Sequence, residues 1–161
     1  MKKILVTGCN GQLGRAVRAE YGDEAEFILT DVVDGQGIRR LDISRVDEVV
    51  EAVRSLKPDV IINCAAATNV DGCETDPDFA YRVNAIGPRN LAIAATETGA
   101  KLIHISTDYV FPGTNPNPLN EFEEPGPISA YGRTKYAGER FVKQFAKRWF
   151  ILRTAWLYGD G

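Results

Sequence analysis

The sequence has few of the residues that build metal centres and disulfide frameworks. Its 161 residues include three cysteines and one histidine. The cysteines are odd in number and lack the spacing of metal ligands. We therefore expect Cys9, Cys64 and Cys73 to be small core or loop residues in a reducing compartment. His104 lies inside an apolar run, so we expect it to belong to the core.

Excess positive charge and long apolar segments are also lacking. The chain has 19 Lys and Arg against 22 Asp and Glu, a formal net charge of −3. This balance gives no electrostatic case for nucleic-acid binding. No apolar run approaches the roughly 20 residues of a membrane span, and no charged segment followed by a long apolar one suggests secretion. We expect one soluble, cytoplasmic domain without a nucleic-acid or membrane partner.

What the sequence does have is a strand, a glycine-rich turn and a helix in succession near its start. Residues 4–7 form a β-prone run, and apolar side chains recur at helical period from Leu13 onward. Gly8, Gly11 and Gly14 stand between these patterns. The first glycine permits a tight turn, the second lets backbone approach a pyrophosphate, and the third lets the helix pack on the strand. The pattern predicts a dinucleotide site at the helix N-terminus.

An acidic residue follows the second predicted strand, residues 26–30. Asp31 lies about 20 positions beyond the glycines, where a carboxylate accepts from ribose hydroxyls and repels a 2′-phosphate. This position favours NADH, although an acid in a surface turn is the structural alternative. Arg39 and Arg40, which we expect in the following loop, could accept a phosphate. NADPH therefore stays open as the cofactor.

Strand and helix patterns alternate along the rest of the chain. Ser44 is expected to cap a helix over residues 45–56, and a helix over residues 76–99 should kink or divide at Gly87 and Pro88. Further strands are predicted over residues 59–63, 101–106 and 150–154, with a long loop over 111–127. This order predicts an α/β fold, a Rossmann-type, doubly wound parallel sheet, as one dinucleotide-binding domain over residues 1–161.

Two segments follow strands at the sheet edge where open α/β folds bind ligands. Residues 64–68 have small side chains that would let backbone lie against adenosine or the nicotinamide ribose. A simple exit from strand to loop is the alternative. Ser106, Thr107 and Asp108 stand at the end of another strand and are candidates for contact with substrate.

Tyr131 and Lys135 stand four residues apart on a predicted helix that Ser129 can cap. Four residues is about one helical turn, so both side chains can reach the same site. A nearby ammonium favours a phenolate, so we expect the pKa of Tyr131 to be lowered. A tuned tyrosine can exchange a proton with a sugar or alcohol oxygen. On its own the pair could also be ordinary surface side chains of a helix.

Together these motifs resemble the extended short-chain dehydrogenase/reductases. The resemblance runs along nearly the whole chain and includes residues 106–111 (STDYVF) and 153–159 (RTAWLYG), which are narrower signatures than the glycine and Tyr/Lys motifs. Within the family, the chain most resembles reductases of 4-keto nucleotide-sugars. The resemblance implies a nucleotide-sugar substrate and NADH or NADPH as cofactor.

The resemblance also implies roles for individual residues. Tyr131 would protonate the substrate oxygen, Lys135 would hold the nicotinamide ribose and lower the tyrosine pKa, and Thr107 would bond the substrate oxygen. Asp108 and Trp156 match sugar-contacting positions. The cofactor-binding positions are Gly8, Asn10, Gly11, Gln12, Leu13, Gly14, Asp31, Asp42, Ile43, Ala66, Ala67, Thr68, Tyr131 and Lys135.

The position of Gly161 just after the last family motif suggests a chain cut before a substrate domain. We therefore expect this chain alone to bind cofactor with negligible turnover, and the resemblance allows a homodimer of the full-length protein. Some family members bind Mg²⁺ through glutamates at a dimer interface. Ala16 stands at the matching N-terminal position, so we expect no metal here.

Two other functions share several of these motifs. A regulatory subunit of methionine adenosyltransferase resembles this family, binds NADP and acts through a partner. Asp31 and the Ser106–Asp108 segment favour an enzyme instead. Epimerases and dehydratases of nucleotide-sugars share Tyr131 and Lys135, but dehydratases carry a glutamate where this chain has Tyr109.

Overall fold

The computed structural model describes residues 1–21 and 25–159, and within these ranges a six-stranded sheet is flanked by helices. The strands are β1 (Lys3–Thr7), β2 (Glu26–Asp31), β3 (Ile38–Arg40), β4 (Val60–Asn63), β5 (Lys101–Thr107) and β6 (Trp149–Thr154). The helices are α1 (Gln12–Tyr21), α2 (Val46–Leu56), α3 (Val70–Thr75), α4 (Pro77–Tyr81), α5 (Gly87–Thr98) and α6 (Ala130–Phe145). A π-helical turn (Arg82–Ile86) joins α4 to α5, and a 3₁₀ turn (Asp108–Val110) follows β5. The end of the expected domain, residues 160–161, lies outside the described residues.

Neighbouring strands of this sheet are all parallel, in the order β3-β2-β1-β4-β5-β6. This is the order of a doubly wound dinucleotide-binding sheet, so the predicted fold class is confirmed. The direction of winding reverses between β1 and β4. In such sheets the reversal opens a crevice at the carboxyl ends of the strands.

Alternate residues of the central strands pack into two apolar layers, one on each face of the sheet. Leu5 and Ile61 pack with α2, α5 and α6, whereas Val6 and Ile62 pack with Val17 of α1. Burial on both faces explains why these strands are nearly continuous apolar runs.

His104 belongs to the core, as predicted, and is fully buried on β5. The Thr7 hydroxyl donates to Asn63 Oδ1 at 2.7 Å, which leaves Asn63 Nδ2 to donate to His104 Nδ1 at 3.0 Å. Burial lowers the pKa of His104 well below its ordinary value, so the imidazole is neutral. Cys9 and Cys73 are buried, Cys64 is half-buried, and all three thiols are free.

The prediction of a loop at Arg39 and Arg40 was wrong, because both lie in the edge strand β3. This strand pairs with β2 over only three residues, which is too short for a recognisable alternation. The guanidinium of Arg40 is also engaged, since it lies 3.2 Å from the Glu48 carboxylate on α2.

One predicted helix boundary also differs from the structure, and two are confirmed. Ser44 does not cap α2, because its hydroxyl donates instead to Asp42 Oδ1 at 2.7 Å. The helix expected over residues 76–99 is divided at Gly87, as predicted, because α5 begins there after the π-helical turn. Pro88 lies in the first turn of α5, where its missing N–H costs nothing. Ser129 caps α6 as predicted, accepting from the Gly132 amide at 3.0 Å. Across the described ranges, none of the helices combines the length and apolar character needed to cross a membrane.

Candidate cofactor and active site

A cavity of about 870 Å³ opens at the carboxyl ends of the strands, next to the point where the winding reverses. It is lined by residues that the sequence analysis assigned to the cofactor, with the exception of Asn10. Those residues are Gly8, Gly11, Gln12, Leu13, Gly14, Asp31, Asp42, Ile43, Ala66, Ala67, Thr68, Tyr131 and Lys135. Residues that are up to 127 positions apart in the sequence, from Gly8 to Lys135, thus face one space.

The three glycines of the first turn have different steric surroundings. Gly8 has φ +68°, and a Cβ there would lie 2.6 Å from the backbone of Ala65. A Cβ at Gly14 would lie 2.5 Å from the Gly8 carbonyl oxygen, whereas one at Gly11 would lie 3.3 Å from that atom. Gly8 and Gly14 are therefore required by the turn itself, while Gly11 is only closely packed. The first-turn amides of α1 lack intrahelical acceptors and lie beside the cavity.

Asp31 is held at the end of β2 by the glycine turn. Its Oδ2 accepts from the Asn10 amide at 3.0 Å, and its Oδ1 accepts from the Val33 amide at 3.5 Å. The backbone amide of Asn10, a residue that does not line the cavity, thus orients the Asp31 carboxylate. Asp42, which also lines the cavity, accepts from the amide of Ser44 at 2.9 Å and so organises its own turn.

Lys135 is buried, with 3% of its surface exposed, and its Nζ donates to the carbonyl of Ile105 on β5 at 2.6 Å. Burial lowers the pKa of Lys135 to about 8, although the nearby Glu139 carboxylate opposes this shift. The carboxylate of Glu139 is fully buried one turn along α6 and is bound at both oxygens by Arg153, at 2.9 and 2.7 Å.

The pKa of Tyr131 is shifted in the direction opposite to the one we expected. Burial raises the pKa of its phenol, and hydrogen bonding to Thr107 opposes this only in part. The lowering by Lys135 that we expected is not found, and burial is the largest influence on the phenol. The Lys135 ammonium donates to the Ile105 carbonyl. At neutral pH Tyr131 is therefore a protonated donor. The ring of Tyr109 packs edge-on against it, with 5.4 Å between the ring centroids.

The residues predicted to contact substrate lie beside the cavity rather than along its lining. The Thr107 hydroxyl donates to Asp108 Oδ1 at 3.0 Å and accepts from the Tyr109 amide at 3.2 Å. Trp156 has φ +52° and is 90% exposed. The structure brings Leu157 to the cavity in its place.

Sequence reasoning did not identify several residues of the cavity wall. Arg82 and Val83 reach it from the π-helical turn, and Phe79 reaches it from α4. Leu157 lies within the RTAWLYG signature, but no spacing distinguishes it from Trp156.

The strand order and the glycine turn define the class of this chain as a Rossmann-type dinucleotide-binding domain. The sequence profile of the RmlD substrate binding domain family matches residues 1–161, and the chain belongs to this family. The predicted family resemblance is thereby confirmed.

Three similar proteins carry the name of one reductase. The dTDP-4-dehydrorhamnose reductase of Escherichia coli strain K12 is 41% identical, over 96% of this chain and 51% of its own length. A crystal structure of a dTDP-4-dehydrorhamnose reductase from Clostridium acetobutylicum is 53% identical with a TM-score of 0.93, covering 99% of this chain and 55% of that one. The Bacillus anthracis reductase in complex with NADP is 43% identical with a TM-score of 0.89, covering 98% and 54%. The chain thus spans about half the length of the curated relatives that it matches.

Proposed function

We propose that residues 1–161 are the dinucleotide-binding domain of a reductase that converts the 4-keto group of dTDP-4-dehydro-β-L-rhamnose to the alcohol, forming dTDP-L-rhamnose with NADH or NADPH. The observation that carries this proposal is that Tyr131 and Lys135 line the same cavity as the glycine turn and Asp31. The names of the reductase relatives supply the substrate. The free thiols suit the cytoplasm, where we place the protein.

The residues of the cavity fit a nicotinamide dinucleotide. Its volume lies within the range of small-molecule sites. Amides of the first turn of α1 would bind the pyrophosphate, Asp31 would accept from the adenosine ribose, and Lys135 would donate to the nicotinamide ribose. When bound, the reduced cofactor supplies the hydride.

The protein residues position the sugar carbonyl and supply the proton. Because its pKa is raised, Tyr131 holds its proton at neutral pH and can donate it to the C4 oxygen as negative charge develops there. Thr107 would donate to the C4 oxygen once its single hydroxyl proton turns from Asp108 toward the sugar. Atoms and charge then balance: the carbon gains a hydride and the oxygen gains the Tyr131 proton.

The function is tested by measuring oxidation of NADH and NADPH by the whole protein with the dTDP-4-keto sugar. We expect turnover by the whole protein, and cofactor binding with negligible turnover by residues 1–161 alone. Cofactor binding by the whole protein without any turnover would contradict the proposal and favour a regulatory subunit.

Gly11 provides a test of the pyrophosphate position. We expect Gly11→Val to raise the Kd for cofactor at least tenfold, because the side chain would occupy the space where backbone must approach the phosphates. The fold should persist, since a Cβ at Gly11 is only closely packed at 3.3 Å. Calorimetric titration measures the Kd, and circular dichroism checks the fold. Equal affinity in Gly11→Val and wild type would remove the pyrophosphate assignment.

Asp31 provides a test of cofactor preference. We expect wild type to bind NADH more tightly than NADPH, and Asp31→Asn to shift the ratio of the two Kd values toward NADPH by roughly tenfold, because a like charge no longer faces the 2′-phosphate. Asp47→Asn makes the same charge change on exposed α2 and should leave the ratio unaltered. An NADPH preference of wild type at both low and moderate salt would contradict this prediction.

The lowered pKa of Lys135 predicts how cofactor binding depends on pH. With a pKa of about 8 it is an ammonium below that pH and loses the charge above it. We therefore expect the Kd for cofactor to be lowest near pH 7 and to rise as pH increases through 8, as the ammonium fraction falls about tenfold per unit. Lys135→Met should bind weakly and without this midpoint. A wild-type Kd that stays constant from pH 7 to 9.5 would show that the charge of Lys135 is not used.

A further inference from the structure

The adenosine end of the cavity can be followed by direct contacts from Asp31 to the π-helical turn. The Leu41 amide donates to the Asp31 carbonyl at 2.7 Å, so the segment after β3 lies beside the carboxylate assigned to the adenosine ribose. Ile43 of this segment packs on Gly87, where a Cβ would lie 2.5 Å from the Ile43 Cδ1 atom. Gly87 directly follows the π-helical turn. The adenosine end therefore closes against this turn.

The loop after β4 separates the π-helical turn from the glycine turn. Its first part touches the glycine turn, since a Cβ at Gly8 would lie 2.6 Å from the backbone of Ala65. Two residues later, the Ala67 amide donates to Asn84 of the π-helical turn at 2.8 Å. Side chains of the π-helical turn thus reach the cavity from the far side of this loop. With the pyrophosphate at the glycine turn, the cofactor group left for these side chains is the adenine.

Three side chains form the cavity wall at this end, and one of them is a cation. Phe79, Arg82 and Val83 are spaced three and four positions apart, and all three line the cavity. The other charged residues of the lining are two aspartates and Lys135, which is assigned to the nicotinamide ribose. Among the described residues, Arg82 is therefore the cation of the adenosine end.

The guanidinium of Arg82 has no carboxylate partner within the described ranges. Asp78 stands one helical turn earlier, where a carboxylate can pair with an arginine. The ion pairs between described residues nevertheless do not include these two side chains. Arg82 is exposed, and Phe79 beside it is 49% exposed. A planar cation and an aromatic ring thus both remain available to a molecule in the cavity.

We propose that Arg82 is a binding residue for adenine, with its guanidinium plane against the base and with Phe79 and Val83 completing the wall around it. The proposal rests on the proposed function in its cofactor but not in its sugar substrate. Adenine is flat, aromatic and uncharged, and a guanidinium stacks on such rings through cation–π attraction and contact between the two planes. Because NADH and NADPH share the adenine, Arg82 strengthens the binding of both without selecting between them.

The test compares three ligands of the whole protein: NADH, NADPH and reduced nicotinamide mononucleotide, which lacks the adenosine half. Arg82→Met keeps an apolar stem and removes the guanidinium. We expect it to raise the Kd of NADH and of NADPH by the same factor, about five- to tenfold, and to leave the Kd of the mononucleotide unchanged. Nucleotide fluorescence measures the dinucleotides, and competition against NADH measures the mononucleotide.

Two further variants make this comparison specific. Arg140→Met makes the same change at an exposed position of α6 outside the cavity lining, and should leave all three Kd values unaltered. Arg82→Lys keeps the charge but lacks the plane, so we expect it to recover only a minor part of the lost affinity. Because Arg82 is exposed, the fold should persist in both of its variants, which circular dichroism checks.

Several results would overturn the proposal. Full recovery by Arg82→Lys, or a loss confined to NADPH, would mean that Arg82 binds a phosphate instead of the base. Equal losses for NADH and the mononucleotide would exclude a role at adenine. Wild-type affinity for NADH in Arg82→Met would overturn the role of Arg82 and leave the proposed function intact. If wild type binds NADH without any turnover, the reductase function fails, and the Kd comparison still decides the role of Arg82.

Discussion

Replacing Tyr131 with Phe is expected to lower kcat of the whole protein by about 10²–10⁴-fold. The change removes the proton donor but keeps the ring, so its packing against Tyr109 should persist. Cofactor affinity should stay near the wild-type value, because Tyr131 serves the sugar oxygen more than the dinucleotide. Steady-state rates with saturating cofactor and a separate cofactor titration measure the two quantities.

Tyr109→Phe is the matched control for this prediction. Tyr109 is the aromatic neighbour of Tyr131, and its side chain is 46% exposed. Loss of its hydroxyl should change kcat by no more than a few-fold, since surface substitutions outside special environments have small effects. Wild-type kcat in Tyr131→Phe, or equal losses in the two variants, would mean that another group supplies the proton.

Replacing Arg153 with Met is expected to lower the free energy of unfolding by about 3–5 kcal/mol. Glu139 is fully buried, and the Arg153 guanidinium binds both of its oxygens from a site that is itself only 18% exposed. Without Arg153 a carboxylate would stay in the core with no guanidinium to compensate its charge. Urea denaturation followed by circular dichroism measures the loss.

Arg54→Met is the control for the second prediction. Arg54 pairs with Glu97 at 2.8 Å, but their side chains are 63% and 38% exposed. An exposed pair of this kind contributes about 0–1 kcal/mol. The double variant Arg153→Met with Glu139→Leu should recover much of the lost stability, because it removes the buried charge. Similar losses from Arg153→Met and Arg54→Met would show that burial of Glu139 is not costly in this fold.

The sequence predicts the parts of the site that depend on local chain geometry. The spacing of Gly8, Gly11 and Gly14 predicts a single tight turn. The structure has this turn, with a positive φ at Gly8 and a close approach of Gly14 to the Gly8 carbonyl oxygen. Ser129 before α6 is equally local, and its capping bond is found. The alternation of strands and helices was sufficient for the parallel sheet, because crossover connections leave few other arrangements.

Features that depend on distant partners could not be predicted. The Lys135 ammonium donates to a carbonyl 30 residues earlier in the chain. The pKa of Tyr131 is raised chiefly by burial, which depends on the packing of the folded chain. The sequence analysis did not predict β3, because a strand of three residues is too short to show an alternation of apolar and polar side chains. The buried side chain of Asn84 forms hydrogen bonds with Ala67 and Thr134, which lie 17 and 50 residues away in the chain.

The reversal of winding between β1 and β4 divides the site along the chain. Asp31, Asp42 and Ile43, which we propose bind the adenosine half of the cofactor, all precede β4, whereas Tyr131, Lys135 and Leu157 all follow it. The residues proposed to select the cofactor and those proposed to act on the sugar therefore lie in separate, consecutive stretches of polypeptide. Such an arrangement lets recombination or protein engineering exchange residues 26–43 as a cassette, altering the preferred dinucleotide while the proton donor and its supporting helix stay untouched.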